Sequence, residues 1–348
     1  MKKRNKLISL ICICVSLLMM VLSACGQNTA NQTPAPQGQP DNGAAAAADP
    51  LKVTFAGSSP GGVWYMVMGG VTESINKSYP GSSVTVIPGD GVSNIVRVAG
   101  NQAEIGLSHS AIAASAISGD DPFDKTIDNI ATAASLYPSQ LQFVVTAKSG
   151  VQSIQQIMDE KMKIRISVDG PGSTGELAFR RMINEYGFTY DDIISWGGQV
   201  VYKNMGDSSD MLSDGLLDGM STMTLYPASP ITEAAINNDM VMLPVDPKIC
   251  EALAQKYGYG TDGVPEGTYD FQTGEISTIS SYTVICVPKN APDETVYAIA
   301  KSIHENLDYL KSVHVAMNTL TPEKLVENLG APLHPGAEKY YKEVGVLK

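Results

Sequence analysis

The chain has 348 residues, 43% of them apolar and 17% charged, with a formal net charge of −12. That length allows two ordinary domains with proper cores. An acidic chain of this kind has no electrostatic reason to bind nucleic acid, whose phosphates call for a basic surface.

Lys2, Lys3, Arg4 and Lys6 form a basic segment, followed by an apolar run from Leu7 to Leu22 and then Ser23-Ala24-Cys25. This order reads as a secretory signal peptide over residues 1–25. The apolar run is shorter than the roughly 20 residues a membrane-spanning helix needs. Leu22-Ser23-Ala24-Cys25, followed by Gly26, resembles a bacterial lipobox, in which Cys25 is lipidated and becomes the mature N-terminus. Loss of four positive and no negative charges takes the formal net charge from −12 to about −16. Only Cys250 and Cys286 then remain in the folded body, where one disulfide or two buried thiols are both compatible with the spacing. Residues 26–50 are rich in Ala, Gln, Asn, Pro and Gly, cannot bury enough surface to fold, and read as a tether.

The folded body opens with Leu51, Val53 and Phe55 alternating with Lys52 and Thr54, the period of a strand. A glycine-rich turn from Gly57 to Gly62 follows. Val63, Val67, Val71 and Ile75 then recur every four residues, which places them on one face of a helix. A strand that runs through a small-residue loop into a helix N-terminus presents unpaired N–H groups at the positive end of the helix dipole. The pattern repeats with a strand at 83–87, the turn Pro88 to Ser93 and a short helix at 94–101. A strand at 104–108 then ends in the polar loop Ser108-His109-Ser110. In open α/β sheets, loops at the carboxyl ends of strands are where ligands bind. Ser93, Asn94, His109 and Ser110 are therefore candidate lining residues, with Gly61, Gly62, Trp64 and Tyr65 of the first unit.

Leu141, Phe143 and Val145 mark a strand leading into Lys148-Ser149-Gly150. A helix at 154–161 and a strand at 163–168 follow. The loop Asp169-Gly170-Pro171-Gly172-Ser173-Thr174-Gly175 then leads directly into a helix at 176–186. The opening architecture thus occurs twice, which predicts two similar α/β lobes facing a shared cleft. Gly172, Ser173, Thr174 and Gly175 are its candidates on the second side. A helix at 208–214, a strand at 220–224, the loop Tyr226 to Pro230, a helix at 231–237, a strand at 240–245 and a helix at 247–257 complete this series. Tyr226 is a further candidate wall. The run 276–287 is long enough to return to the first lobe, and the tail reads as a helix over 293–310 with a cap at Thr321-Pro322-Glu323.

Enzyme signatures are scarce. The four histidines, His109, His304, His314 and His334, do not fall in metal-ligand spacing, and there is no nucleophile elbow or phosphate-loop lysine. Asp214 and Asp218, beside Gly215 and Gly219, read as turn and cap residues. His109 lies between two serines on an extended segment, where neighbours point to opposite sides, so it reads as a polar lining residue rather than a base. The reading is a non-enzyme with no cofactor and no metal. An aromatic beside backbone donors, as at Trp64 and Tyr65, suits a small organic ligand.

From Leu51 to Lys348 the chain resembles the TAXI group of extracytoplasmic solute receptors, which serve tripartite ATP-independent periplasmic (TRAP) transporters. The resemblance rests on Gly61-Gly62-Val63-Trp64-Tyr65, Tyr79-Pro80-Gly81, Gly172-Ser173-Thr174-Gly175, Gly267-Thr268-Tyr269 and, most specifically, Ala331 to Gly345. Two departures fall in presumed pocket loops. Gly89-Asp90-Gly91 stands for the family's Gly-Gly-Ser, and His109-Ser110-Ala111 for its Gln-Ser-Asp. The resemblance implies a type 2 periplasmic-binding-protein fold with lobe 1 over residues 51–146 plus 281–348 and lobe 2 over 147–280. It implies a small carboxylate or amino acid, such as glutamate or 2-oxoglutarate, bound between them and delivered by a lipid-anchored monomer to TRAP membrane subunits. A sensor that presents solute to a receptor kinase is the alternative. His334 is expected to be structural.

Overall fold

The alternation of Val53 and Phe55 with Lys52 and Thr54 forms β1 (Lys52–Ala56), whose apolar residues are buried. This computed structural model describes residues 49–58 and 63–348. The expected signal peptide and Cys25, nearly all of the tether, and Gly61 and Gly62 lie outside the described residues. In α1 (Val63–Ser78) the four-residue stripe goes inward, with Val67, Val71 and Ile75 fully buried beside Met68. Burial of each such side chain is worth roughly 1.5–3 kcal/mol. Then come β2 (Ser83–Ile87), α2 (Gly91–Ala99), β3 (Ile105–His109) and α3 (Ser110–Ser118). The sequence pointed to a loop where α3 begins, because its Ala, Ser and Ile residues show no polar face. Six of its nine residues are buried, which removes the amphipathic signal.

The long β4 (Ile130–Thr146) has 17 residues, of which the sequence pattern marked only the second half. After it come α4 (Ile154–Asp159), β5 (Arg165–Val168), α5 (Thr174–Glu185), and the short α6 (Tyr190–Ser195) and β6 (Gln199–Tyr202), neither of which was anticipated. The chain continues through α7 (Met205–Ser213), β7 (Gly219–Thr224), α8 (Ser229–Asn237), β8 (Met240–Met242) and α9 (Pro247–Tyr257). The return strand is β9 (Ser280–Pro288), shorter than the expected run. The tail helix breaks at Asn306 into α10 (Asp293–Glu305) and α11 (Leu307–Val313). There the Asn306 side chain donates to the carbonyl of Ser302 and to Ser78 Oγ. The last helix is α12 (Pro335–Glu343), capped by His334, whose Nδ1 accepts the Gly336 N–H at 3.1 Å. His334 is structural, as expected.

The nine strands among the described residues form one mixed sheet in the order β2-β1-β3-β9-β4-β7-β5-β6, with β8 also on β4. β1, β2 and β3 are parallel, β9 runs antiparallel to both β3 and β4, and β7 runs antiparallel to β4 and parallel to β5. β1 and β3 therefore point the same way as β4 beside its first half, and β7 and β5 point the opposite way beside its second half. Register fixes where they meet. His109 at the end of β3 pairs with Thr283 of β9, and Thr224 at the end of β7 pairs with Gln140 of β4. Both sets of strands thus deliver their carboxyl ends to the middle of β4.

The same strand divides the core. Ala131, Ala133, Ala134, Leu136 and Tyr137 pack with α1, α10 and α12, whereas Leu141, Phe143 and Val145 pack with α4, α5 and α9. Between these cores β4 and β9 carry buried Ser139, Gln140, Ser280 and Ser281. An apolar seam is replaced by hydroxyls and amides where the two sets of loops converge.

Candidate ligand-binding cleft

At this convergence a cavity of about 300 Å³ is lined from one side by Ser58, Trp64, the Gly89–Val92 turn and His109. From the other side come Asp169, Ser173, Thr174, Gly175 and Met223. Larger cavities of 620 Å³, beside Tyr79 and Tyr297, and 360 Å³, beside Tyr269 and Phe271, share no lining residue with it. The smaller one draws on the loops of both halves and sits where an α/β sheet binds ligands.

Each wall is held by local structure. Trp64, in the first turn of α1, donates its indole N–H to Thr283 Oγ1 at 3.1 Å and lies 4.8 Å, centroid to centroid, from the His109 ring. His109 Nδ1 is 3.0 Å from Thr174 Oγ1. His109 is 8% exposed, and burial pushes its imidazole down to about 4, so it is neutral at physiological pH. Its Nε2 makes no hydrogen bond among the described residues, and the residue lines the cavity.

The two helix N-termini differ in a way that bears on charge. Asp90 caps α2, its carboxylate accepting the N–H groups of Val92 and Ser93 at 3.0 Å each, and Ser93 closes a capping box. An internal anion therefore already occupies that end of the dipole. At α5, Ser173 Oγ accepts the Glu176 N–H, and the Leu177 N–H reaches the Ser173 carbonyl. The N–H groups of Thr174 and Gly175 have no acceptor among the described residues. Gly175 is required by close approach, since a Cβ there would lie 1.9 Å from Asp169 Oδ2 and 2.9 Å from the Met223 nitrogen. That Asp169 oxygen accepts Thr222 Oγ1 at 3.0 Å and the Met223 N–H at 3.4 Å. Burial pushes the Asp169 carboxyl up to about 6, against those two donors and with added repulsion from Glu176.

Of the residues singled out in the sequence, Trp64, His109, Ser173, Thr174 and Gly175 line the cavity together. Tyr65 does not. It is 44% exposed, because one residue along a helix turns the side chain about 100° away from Trp64. Ser93 is spent on the capping box, and Asn94 is fully buried, its Nδ2 donating to the carbonyls of Gly57 and Leu107 at 2.9 Å each. Ser110 accepts the Tyr282 N–H and meets Ser281 Oγ at 3.3 Å, which ties α3 to β9. Gly172, at φ 73°, shapes the turn, and Tyr226 lies outside the cavity lining. Asp90 and Asp169 also line the cavity, although neither is among the candidates the sequence offers. The signal available for them was a carboxylate beside a glycine in a loop that leads from a strand into a helix.

Other expectations resolve nearby. Cys250 and Cys286 are free and buried. Asp218 is not a cap: it takes the Arg165 guanidinium with both oxygens, at 2.7 and 3.0 Å. Among the described residues no cluster of three or more His, Cys, Asp or Glu side chains could hold a metal ion, and no helix is long and apolar enough to cross a membrane.

Residues 55–345 match the model of the NMT1-like family. The chain belongs to the NMT1-like family. A TctC solute-binding protein from Polaromonas, 14% identical, superposes with a TM-score of 0.53 over 87% of this chain and all of that one. MatC from Rhodopseudomonas palustris, with bound malate, is 13% identical with a TM-score of 0.52 over 86% of this chain and all of its own. The periplasmic binding protein BugD is 16% identical, also at 0.52, over 86% of this chain and 98% of its own. This NMT1-like chain thus has the α/β fold of periplasmic solute-binding proteins.

Proposed function

We propose that the chain is an extracytoplasmic receptor that binds a small organic acid or amino acid in the cleft and hands it to a membrane transporter. The observation that carries this reading is the cavity itself. It collects an aromatic, a buried neutral histidine and two free backbone donors from elements on opposite sides of β4. Such a mixture of apolar wall and few convergent polar groups is how small-molecule sites are built. The malate held by MatC supports a small acid as one ligand class. The loop and C-terminal motifs favour the TAXI group and hence a TRAP-type transporter. The N-terminal pattern favours a lipid anchor at Cys25 and placement outside the cytoplasm, as a monomer. The lobes we assign are 51–146 plus 281–348 and 147–280. A ligand that touches both walls, His109 and Trp64 on one and Ser173 and Thr174 on the other, favours the state in which they are close.

A thermal-shift series over small acids and amino acids tests this. Saturation at 100 times the dissociation constant adds about 2.7 kcal/mol. Gly91 provides the control, since a Cβ there would sit 3.4 Å from Ser108 Oγ and 3.6 Å from both Thr174 Oγ1 and the Trp64 ring. Gly91→Leu therefore fills the cavity and should abolish the shift. Absence of any shift across the series contradicts the proposal.

A further inference from the structure

The charge of the cleft is one-sided. Its lining includes two carboxylates, Asp90 and Asp169, and no lysine or arginine. The guanidinium groups nearest in sequence to its loops are engaged elsewhere. Arg97 donates to the Pro88 carbonyl at 2.7 Å, and Arg180 pairs with Glu176 and Asp121 at 2.8 Å each. His109 contributes no charge. Only one oxygen of Asp169 is used, by Thr222 and Met223, and Oδ1 has no partner among the described residues. A half-buried carboxylate without a cation is held at a cost that an incoming cation relieves. A dicarboxylate would instead bring two negative charges towards Asp90, Asp169 and, behind them, Glu176. Donors for a single carboxylate are nonetheless present in the Thr174 and Gly175 N–H groups and, in the tautomer whose Nδ1 accepts the Thr174 hydroxyl, at Nε2 of His109, a side chain more than nine-tenths buried in the cavity lining.

We propose that the cleft selects a ligand bearing both a protonated amine, held by the Asp169 carboxylate, and one carboxylate, held by the first turn of α5. The ligand class is the α-amino acid, in preference to the dicarboxylate. This inference rests on the solute-receptor reading above and names the chemistry of its site. Opposite groups on the ligand match opposite groups on one loop: the carboxylate of Asp169 and the N–H groups five and six residues on.

The test is isothermal titration of the purified chain at pH 7.5 with each common amino acid and its 2-deamino counterpart, together with malate and glutarate. At least one amino acid should bind more than about tenfold tighter than its deaminated partner, a difference set by one buried ion pair. Asp169→Asn keeps a carbonyl oxygen to accept from Thr222 and Met223, and it should bring the pair to within about threefold. If that variant does not fold, the wild-type preference measured from pH 7.5 to 5 replaces it. The preference should collapse as Asp169 protonates near 6. The groups facing Asp169 are Glu176, itself paired with Arg180, and across the cavity Asp90 and His109, which stays neutral until about pH 4. Tighter binding of malate, glutarate or the deaminated acid overturns the inference and leaves the receptor reading standing. So does an amine preference that survives in Asp169→Asn or is unchanged down to pH 5. Binding by no member of either series overturns both.

Discussion

His109 Nδ1 and Thr174 Oγ1 lie 3.0 Å apart, joining the end of β3 to the first residue of α5 across the cavity. They are 65 positions apart in the chain. One end of this bond is a neutral ring tilted against Trp64, and the other is a helix N-terminus with unused donors. The contact therefore couples the two walls through uncharged groups and leaves the charge of the cleft to Asp90 and Asp169.

Thr174→Val removes the hydroxyl and keeps the shape. With His109 buried and left without that partner, the variant should lose about 1–3 kcal/mol in urea denaturation. It should also bind solute more weakly. A variant as stable as the parent would show that the bond is not formed in solution.

The acid dependence of stability has a defined sign. His109 has its folded pKa depressed to about 4 from 6.5. Between those values the unfolded chain binds more protons, so this group makes the fold less stable as pH falls from 6.5 towards 4. Asp169 acts oppositely, because its folded pKa is raised to about 6 from 3.8 and it favours the fold as pH falls through that range. His109→Gln should therefore be less acid-sensitive than the parent, by up to about 1.4 kcal/mol per pH unit in this window. Asp169→Asn should be more acid-sensitive. Denaturation at pH 4.5, 5.5 and 7 checks both.

How much of this was legible in the sequence follows from what each residue does. Val67, Val71 and Ile75 face one core and keep a period, so α1 could be read directly. The helix α3 is mostly buried and built of Ala, Ser and Ile, and the first half of β4 is buried on both faces, so neither shows a period. Trp64, His109, Ser173 and Thr174 stand where a strand passes through a loop into a helix, a pattern with a physical reason. Tyr65, Ser93, Asn94 and Ser110 share that neighbourhood, but they serve the helix surface, the cap and the braces between elements. Only side-chain direction separates the two groups. Asp169 was hidden by its glycine neighbours, although Gly175 is small because Asp169 lies against it.

Gly175→Ala should be costly for that reason. The added methyl meets backbone as well as the carboxylate, so α5 must move from β7. A loss of about 1–3 kcal/mol and a lower Tm are expected. An unchanged Tm would mean that Asp169 swings away freely.

Arg181 fixes the rear of α5. It is 4% exposed, donates to Ser115 Oγ at 2.8 Å and to the Asp121 carbonyl, and lies 4.1 Å over the Tyr257 ring. Arg181→Leu leaves Ser115 and that carbonyl without their donor and should cost about 2–3 kcal/mol. Solute affinity should fall with it, because α3 carries the segment after His109.

The central claim is that solute occupies the space beside Trp64. Trp64 and Trp196 are the two tryptophans of the chain, and Trp196 packs with Phe188, away from the cavity lining. A fluorescence titration of the Trp196→Phe variant with the best ligand of the thermal-shift series therefore reads the cleft alone. The account predicts a saturable one-site change in Trp64 emission that Gly91→Leu abolishes. A ligand that binds by calorimetry yet leaves Trp64 emission unchanged, or still binds Gly91→Leu, would place the solute elsewhere and contradict it.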